Sequence, residues 1–140
     1  TGALRGNDSP WMLELIAGVV EPGESDEDVA HREAMEEAGC ELSRLLPIAT
    51  VMPSAGACSE QVRLFCGLVS HAGTGGVHPG GVHPGGVHGL AAEGEDILVH
   101  SVTRREALEL LAANRVPNGH TLIALQWLQI HGDALRERWR

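Results

Sequence analysis

Three glutamates, Glu33, Glu36 and Glu37, are the residues of this chain whose spacing points most directly to chemistry. They are placed at i, i+3 and i+4, so on a helix they project from one face. Carboxylates this close together repel one another, and a hard divalent cation, which prefers oxygen ligands, removes that repulsion. Mg2+ held by few carboxylates keeps coordination positions for water and for substrate phosphates. One interpretation of this spacing is therefore a magnesium site that takes substrate phosphates.

A solvated acidic helix face is the usual meaning of such a charge run, and the three glutamates alone favour it. Four further residues at fixed offsets favour the metal site instead: Gly18, Glu24, Arg32 and Gly39. We interpret Arg32 as an orienting partner that holds Glu24 against the helix and keeps the carboxylates aimed.

The limits of this helix can also be predicted, as residues 25–38. Ser25 or Asp26 can cap its first turn, and Asp28 adds early negative charge that suits a helix N-terminus. Gly39 is a typical helix stop.

The bulk composition describes an ordinary globular chain of 140 residues, with 43% hydrophobic and 21% charged residues. We expect one domain. The net charge of −9 argues against a nucleic-acid or anionic-membrane partner. A nucleotide substrate stays compatible, because bound Mg2+ inverts the local charge. Cys40, Cys58 and Cys66 lack a C-x-x-C spacing and indicate reduced thiols in a cytoplasmic protein.

Hydrophobic patterning predicts the remaining elements. Strands are predicted over residues 13–16, 44–51, 62–69 and 97–102, and further helices over residues 103–114 and 121–131. Leu108, Leu111 and Ala112 are expected on the apolar face of the first of these helices. Leu122, Leu125 and Leu128 are expected on that of the second, and Trp127 is predicted to pack in the core rather than stack on a base. This order suits an α/β or α+β sandwich.

A five-residue unit, Gly-Gly-Val-His-Pro, recurs over residues 75–89. One interpretation is a metal-binding tract that uses His78, His83 and His88. We favour a duplicated spacer within a surface loop over residues 71–89, because long insertions in loops cost little free energy.

The pattern from Gly18 to Cys40 fills the fixed positions of the Nudix box, so the chain resembles the Nudix hydrolases. That resemblance implies an α/β/α sandwich with a mixed sheet and a Mg2+ cofactor, for which Mn2+ can substitute. It further implies that Glu33 and Glu37 are the main metal ligands, with Glu36 a further contributor and the carbonyl of Ala17 completing the shell. Arg32 and Glu36 are counted with the catalytic machinery on the same ground.

Outside the box the chain is similar to bacterial ADP-ribose pyrophosphatases. The residues that carry this similarity lie at 11–18, 54–60, 88–97 and 123–129. The similarity implies hydrolysis of ADP-ribose to AMP and ribose 5-phosphate, with a nucleotide sugar as the small-molecule partner. Another nucleoside diphosphate sugar, or a nucleotide-binding module without turnover, remains the alternative.

The same similarity assigns the later site residues. Glu93 is expected to orient or deprotonate the attacking water, with Glu95 as the second choice. Gly56, Ser59 and Glu60 match the substrate-binding pattern, whereas Ala55 stands where that family usually has proline.

The box lies only 17 residues from the first residue, where such domains normally place two or three strands. We therefore expect a domain that lacks its N-terminal strands, and a homodimer in the full-length protein.

Overall fold

The computed structural model describes the backbone of residues 11–72, 83–88 and 97–140, and the side chains of residues 11–70 and 97–140. Its elements, in chain order, are α1 (Asp26–Ala38), β1 (Cys40–Val51), β2 (Val62–Ala72), β3 (His83–His88), β4 (Ile97–Ser101), α2 (Arg104–Ala112) and α3 (Gly119–Arg138). Helices and antiparallel strands occur together, which confirms the α+β class.

Helix α1 begins and ends where its sequence predicts. Ser25 is the N-cap: its Oγ accepts from the Asp28 N–H at 3.1 Å, and the Asp28 carboxylate accepts from the Ser25 N–H at 3.2 Å. The Ser25 hydroxyl also donates to the Asp28 carboxylate at 2.6 Å, and this bond, followed by the one from the Ser25 N–H, lowers the pKa of Asp28. The helix stops at Gly39, whose φ of 60° and ψ of 31° lie in the left-handed region that glycine tolerates best.

Strands β1 and β2 form one antiparallel pair, and both are longer than predicted. Pro47 lies within β1, opposite Phe65, and the register shifts between Pro47 and Ala49. Proline cannot donate to the ladder, so a bulge next to it is the expected way to accommodate it in a strand.

Strands β3 and β4 form a second antiparallel pair. The position of β4 agrees with its prediction to within one residue, but β3 falls inside the repeat, where a loop is expected. The register shifts between Pro84 and Val87, so an irregularity takes up the two intervening glycines. A neighbouring strand can therefore order a glycine-rich sequence that has weak strand propensity of its own.

Helices α2 and α3 follow, each with a polar cap. Thr103 forms a capping box with Glu106, as predicted, and these bonds lower the pKa of Glu106. Asn118 caps α3 by accepting from the Thr121 N–H at 3.0 Å. Helix α3 runs to Arg138, beyond the predicted end near residue 131, because a buried Leu135 extends its inward stripe by another turn.

The predicted strand over residues 13–16 is wrong: residues 11–21 carry neither strand nor helix. Two N–H groups of this stretch bond to side chains instead of a neighbouring strand. Leu15 donates to Thr121 Oγ1 at 3.3 Å, and Ala17 donates to Glu37 Oε2 at 3.0 Å.

Among residues 11–70 and 97–140, the buried side chains come from α1, β2, α2, α3 and the α2–α3 connection. They are Val29, Ala34, Leu64, Ala107, Val116, Thr121, Ala124 and Leu135. Small Ala107, rather than the predicted leucines, is the buried residue of α2, and Ala112 is exposed. The three leucines of α3 that were predicted to face inward are half-buried.

Trp127 is also half-buried, and its ring lies against His131 with a centroid separation of 4.9 Å. Its predicted core position is therefore met only in part, and the fully buried side chains of α3 are Thr121, Ala124 and Leu135. None of the helices in the described part of the chain is both long and apolar enough to cross a membrane.

Candidate functional site

One arginine on α1 gathers the acidic residues around it. Arg32 Nη1 donates to Glu33 Oε1 at 2.7 Å and to Glu36 Oε2 at 3.1 Å. The side chains of Glu33 and Glu36 are 13% and 33% exposed, so Glu33 is the more enclosed carboxylate of the pair. A single positively charged nitrogen therefore bridges two of the predicted metal ligands.

The other edge of the same guanidinium is held by Glu24. Arg32 Nε donates to Glu24 Oε1 at 3.0 Å, and Nη2 donates to Glu24 Oε2 at 3.2 Å, which makes a bidentate pair. Nη2 also reaches the carbonyl of Val19 at 3.4 Å. This geometry agrees with the sequence interpretation in which Arg32 orients Glu24 and the carboxylates.

These contacts shift the pKa values of both Arg32 and Glu24. Hydrogen bonds to Glu24, Glu33 and Glu36 raise the pKa of Arg32. The pKa of the Glu24 carboxyl is lowered, first by the Arg32 guanidinium and then by the Glu21 N–H, which lies 3.1 Å from Oε2. Both groups therefore stay charged at neutral pH.

The chain just before the Arg32 cluster supplies two more contacts to α1. The Ala17 N–H donates to Glu37 Oε2 at 3.0 Å. The next residue, Gly18, lies so close to Glu33 that a Cβ at this position would overlap the Glu33 carboxylate. Only glycine fits at position 18, because any side chain there would collide with Glu33, a predicted metal ligand. The position of Gly18 in the sequence does not by itself reveal this steric reason.

The donor set suits a hard divalent cation in kind, since every predicted ligand is an oxygen. Glu33 and Glu36 already converge on one positive charge, and Glu37 lies beside the backbone whose carbonyl is the fourth predicted ligand. Among the residues with described side chains, no three acidic, histidine or cysteine groups stand ready-made around a common centre. Arg32 instead bonds to Glu33 and Glu36, and the Ala17 N–H bonds to Glu37.

The predicted site residues outside α1 are not seen in contact with the Arg32 cluster in the described part of the chain. Gly56, Ser59 and Glu60 are exposed in the connection between β1 and β2, which turns through two N–H groups that donate to the Ser54 carbonyl. Within the described side chains, none of the three bonds to Arg32, Glu33 or Glu36. Glu93 and Glu95 lie outside the described residues, as does His78, and the side chains of His83 and His88 are not described.

Sequence reasoning missed the contribution of α3 to this region. Thr121, at the start of α3, accepts a hydrogen bond from Leu15, two residues before Ala17. The partners are 106 positions apart, so no local pattern links them. The one signal for Thr121 in the sequence is that it is a polar residue in the first turn of an amphipathic helix.

Comparison with known proteins places this geometry in context. The family described as "NUDIX domain" matches residues 3–131 of the chain. The ADP-ribose pyrophosphatase of Escherichia coli is 41% identical over 133 residues, covering 95% of this chain and 59% of the relative. The ADP-ribose pyrophosphatase of Haemophilus influenzae is 43% identical over 132 residues, covering 94% of this chain and 56% of the relative.

A more distant similarity links the chain to a second substrate class. The GDP-mannose pyrophosphatase of Yersinia enterocolitica is 30% identical over 129 residues, covering 92% of this chain and 61% of the relative. The chain thus spans little more than half the length of the curated relatives that it matches.

Proposed function

Since the chain belongs to the NUDIX domain family, we propose that it is a Mg2+-dependent pyrophosphohydrolase that cleaves ADP-ribose to AMP and ribose 5-phosphate. The observation that carries the chemistry is the convergence of Glu33 and Glu36 on the Arg32 Nη1 atom, with Glu37 beside Ala17. The substrate assignment is supported by identities of 41% and 43% to ADP-ribose pyrophosphatases over most of the chain.

In this proposal Glu33 and Glu37 are the principal Mg2+ ligands, Glu36 contributes, and the Ala17 carbonyl completes the protein shell. Held by these residues, Mg2+ would supply charge neutralisation of the pyrophosphate and polarisation of a phosphoryl oxygen. Arg32, fixed by Glu24, keeps the neighbouring carboxylates in place as substrate charge enters the site. Mn2+ is proposed as a substitute metal, because it accepts the same oxygen donors.

The remaining roles follow the sequence interpretation. Glu93, or Glu95 in its place, is proposed to orient the attacking water or to accept its proton. The water oxygen then bonds to one phosphorus, the bridging P–O bond at that phosphorus breaks, and the other phosphate leaves with the bridging oxygen. Gly56, Ser59 and Glu60 are proposed to contact the substrate. A cytoplasmic location and a homodimer of the full-length protein, without nucleic-acid or membrane partners, complete the proposal.

A second candidate is a hydrolase of another nucleoside diphosphate sugar. The 30% identity to a GDP-mannose pyrophosphatase favours it, as does Ala55 at a position where the ADP-ribose enzymes usually have proline. A nucleotide-binding module without turnover is a third candidate, against which the complete set of three glutamates speaks.

A panel of nucleotide sugars with and without Mg2+ separates these candidates. We expect AMP release from ADP-ribose to exceed hydrolysis of GDP-mannose, and Glu37→Gln to lower the Mg2+-dependent rate by about a hundredfold or more. Glu27→Gln, which changes an exposed acid of the same helix, is the matched control and should leave the rate near wild type. Faster hydrolysis of GDP-mannose would favour the second candidate. No turnover of any member would favour the third.

A further inference from the structure

Thr121 stands out as a buried polar residue: it is 2% exposed, and the other buried residues of the described chain are hydrophobic or glycine. Its hydroxyl donates to Asn118 Oδ1 at 3.1 Å and accepts from the Leu15 N–H at 3.3 Å. Because the hydroxyl hydrogen is directed to the helix cap, the oxygen lone pairs remain for Leu15. Thr121 therefore joins the first turn of α3 to a distant backbone segment.

That segment leads directly to the proposed metal ligands. Two residues after Leu15, the Ala17 N–H donates to Glu37, and the following Gly18 lies against the Glu33 carboxylate. Residues 15–18 thus form a bridge between the N-terminus of α3 and the acidic face of α1.

The bridge depends on side chains for its position. Residues 15–18 have no strand assignment, so no backbone ladder in the described chain fixes them. A second contact from the same cap is longer: Asn118 Nδ2 lies 3.5 Å from Glu14 Oε1. The buried Thr121 hydroxyl is the shorter tether, and removing it leaves the Leu15 N–H without its partner on α3.

We propose that Thr121 is a positioning residue that holds residues 15–18 against α1, and thereby sets the distance of the Ala17 backbone from the metal-binding glutamates. The role of Mg2+ in this inference rests on the proposed function, whereas the positioning of residues 15–18 does not.

The test compares Thr121→Val, which keeps the shape and removes the hydroxyl, with Thr121→Ser, which restores it. Thr103→Val is the control, because the Thr103 hydroxyl caps α2 through Glu106 and belongs to a different helix. Two quantities are measured on the 140-residue chain: amide hydrogen exchange at Leu15 and Ala17, and the Kd for Mg2+ alone by calorimetry.

We expect Thr121→Val to accelerate exchange at both amides and to raise the Mg2+ Kd about fivefold, the factor that corresponds to one net hydrogen bond. Thr121→Ser should restore both, and Thr103→Val should change neither. Should Thr121→Val fail to fold, Thr121→Cys, whose thiol is a weak acceptor, is judged by the same criteria.

Unchanged exchange at Leu15 in the folded variant would overturn the positioning role. Faster exchange with an unchanged Mg2+ Kd would overturn the link to the metal site. If the wild type itself binds no Mg2+, the proposed function fails at its metal site, while the exchange data still decide whether Thr121 positions residues 15–18.

Discussion

Arg32 carries one positive charge among three carboxylates, and the three contacts are not equivalent. Glu24 takes two parallel hydrogen bonds, whereas Glu33 and Glu36 share a single nitrogen. Bidentate pairs hold the guanidinium in a fixed plane. We therefore expect Glu24 to retain Arg32 when a divalent cation draws Glu33 and Glu36 away, so that Arg32 remains beside the site as a fixed positive charge.

The Glu24–Arg32 pair predicts a defined pH dependence. The folded-state pKa of Glu24 is lowered from 4.5, so its contribution to stability is present above about pH 4.5. That contribution is lost as the pH falls through the lower folded-state pKa. Glu24→Gln should therefore lower the Tm at pH 7 more than Glu27→Gln does, and the difference should shrink below pH 4.5. Thermal melts from pH 3 to 7 measure it; a Tm difference independent of pH would contradict the assignment.

A substitution at Gly18 should affect Mg2+ affinity without affecting the stability of the fold. In Gly18→Ala the new methyl group must displace the Glu33 carboxylate, which sits at the end of a flexible side chain. We expect the Mg2+ affinity to fall by about tenfold, as for other groups that orient ligands. The Tm should change little. Gly119→Ala, where a Cβ meets nothing within 4 Å, is the control. Equal Mg2+ affinity for wild type and Gly18→Ala, measured by calorimetry, would show that this close approach has no role.

At the scale of elements, the site depends on where α1 starts and stops. The Ser25 capping box fixes the first turn, and left-handed Gly39 passes the chain directly into β1 at Cys40. An Arg63–Asp26 ion pair of 2.8 Å also ties the first turn to β2. The acidic face of α1 is therefore held at both ends, and this fixed orientation is what lets residues 15–18 approach it.

Strand β3 changes the expectation for the repeat. Because His83–His88 pairs with β4, the repeat is not solely a spacer. Deletion of residues 75–79 removes one complete unit before β3 and leaves the paired residues unchanged. We expect hydrolysis of the preferred substrate to stay within about threefold of wild type, since the entropic cost of joining two elements changes only slowly with the number of residues between them. Loss of activity, or of a transition metal bound to the wild type, would instead support the histidine tract.

For the whole molecule, the charge balance favours cation binding. The net charge is −9, and the acidic face of α1 concentrates part of it on a few ångströms of surface. Such self-repulsion destabilises the folded state and is relieved by a bound cation.

Mg2+ should accordingly stabilise the folded chain. A ligand that binds only the native state adds about 2.7 kcal/mol at a hundred times its Kd. We expect a higher Tm with Mg2+ for the wild type and little shift for Glu33→Gln/Glu37→Gln. Scanning calorimetry at constant ionic strength checks this, because general screening by salt would raise both proteins equally. An equal shift in the two proteins would place the cation elsewhere.

The local features were accessible from sequence because each depends on neighbours a few positions apart. The α1 boundaries follow from Ser25 and Gly39, and the helical spacing alone puts Glu33, Glu36 and Glu37 on one face. The Arg32–Glu24 pair spans eight residues, and the sequence predicts it as well. The residues from Gly18 to Cys40 also carry the resemblance to the Nudix box, and the family match over residues 3–131 confirms that membership.

Tertiary structure decided what distant residues do together. The predicted strand over residues 13–16 became a segment held by side chains, because Leu15 bonds to Thr121 at a separation of 106 residues. Likewise, β3 forms in a glycine-rich repeat because β4 supplies a ladder that local propensity cannot reveal. Spacing along one helix determines which side chains share a face. The approach of one segment to another depends on packing across the whole chain, which no local pattern encodes.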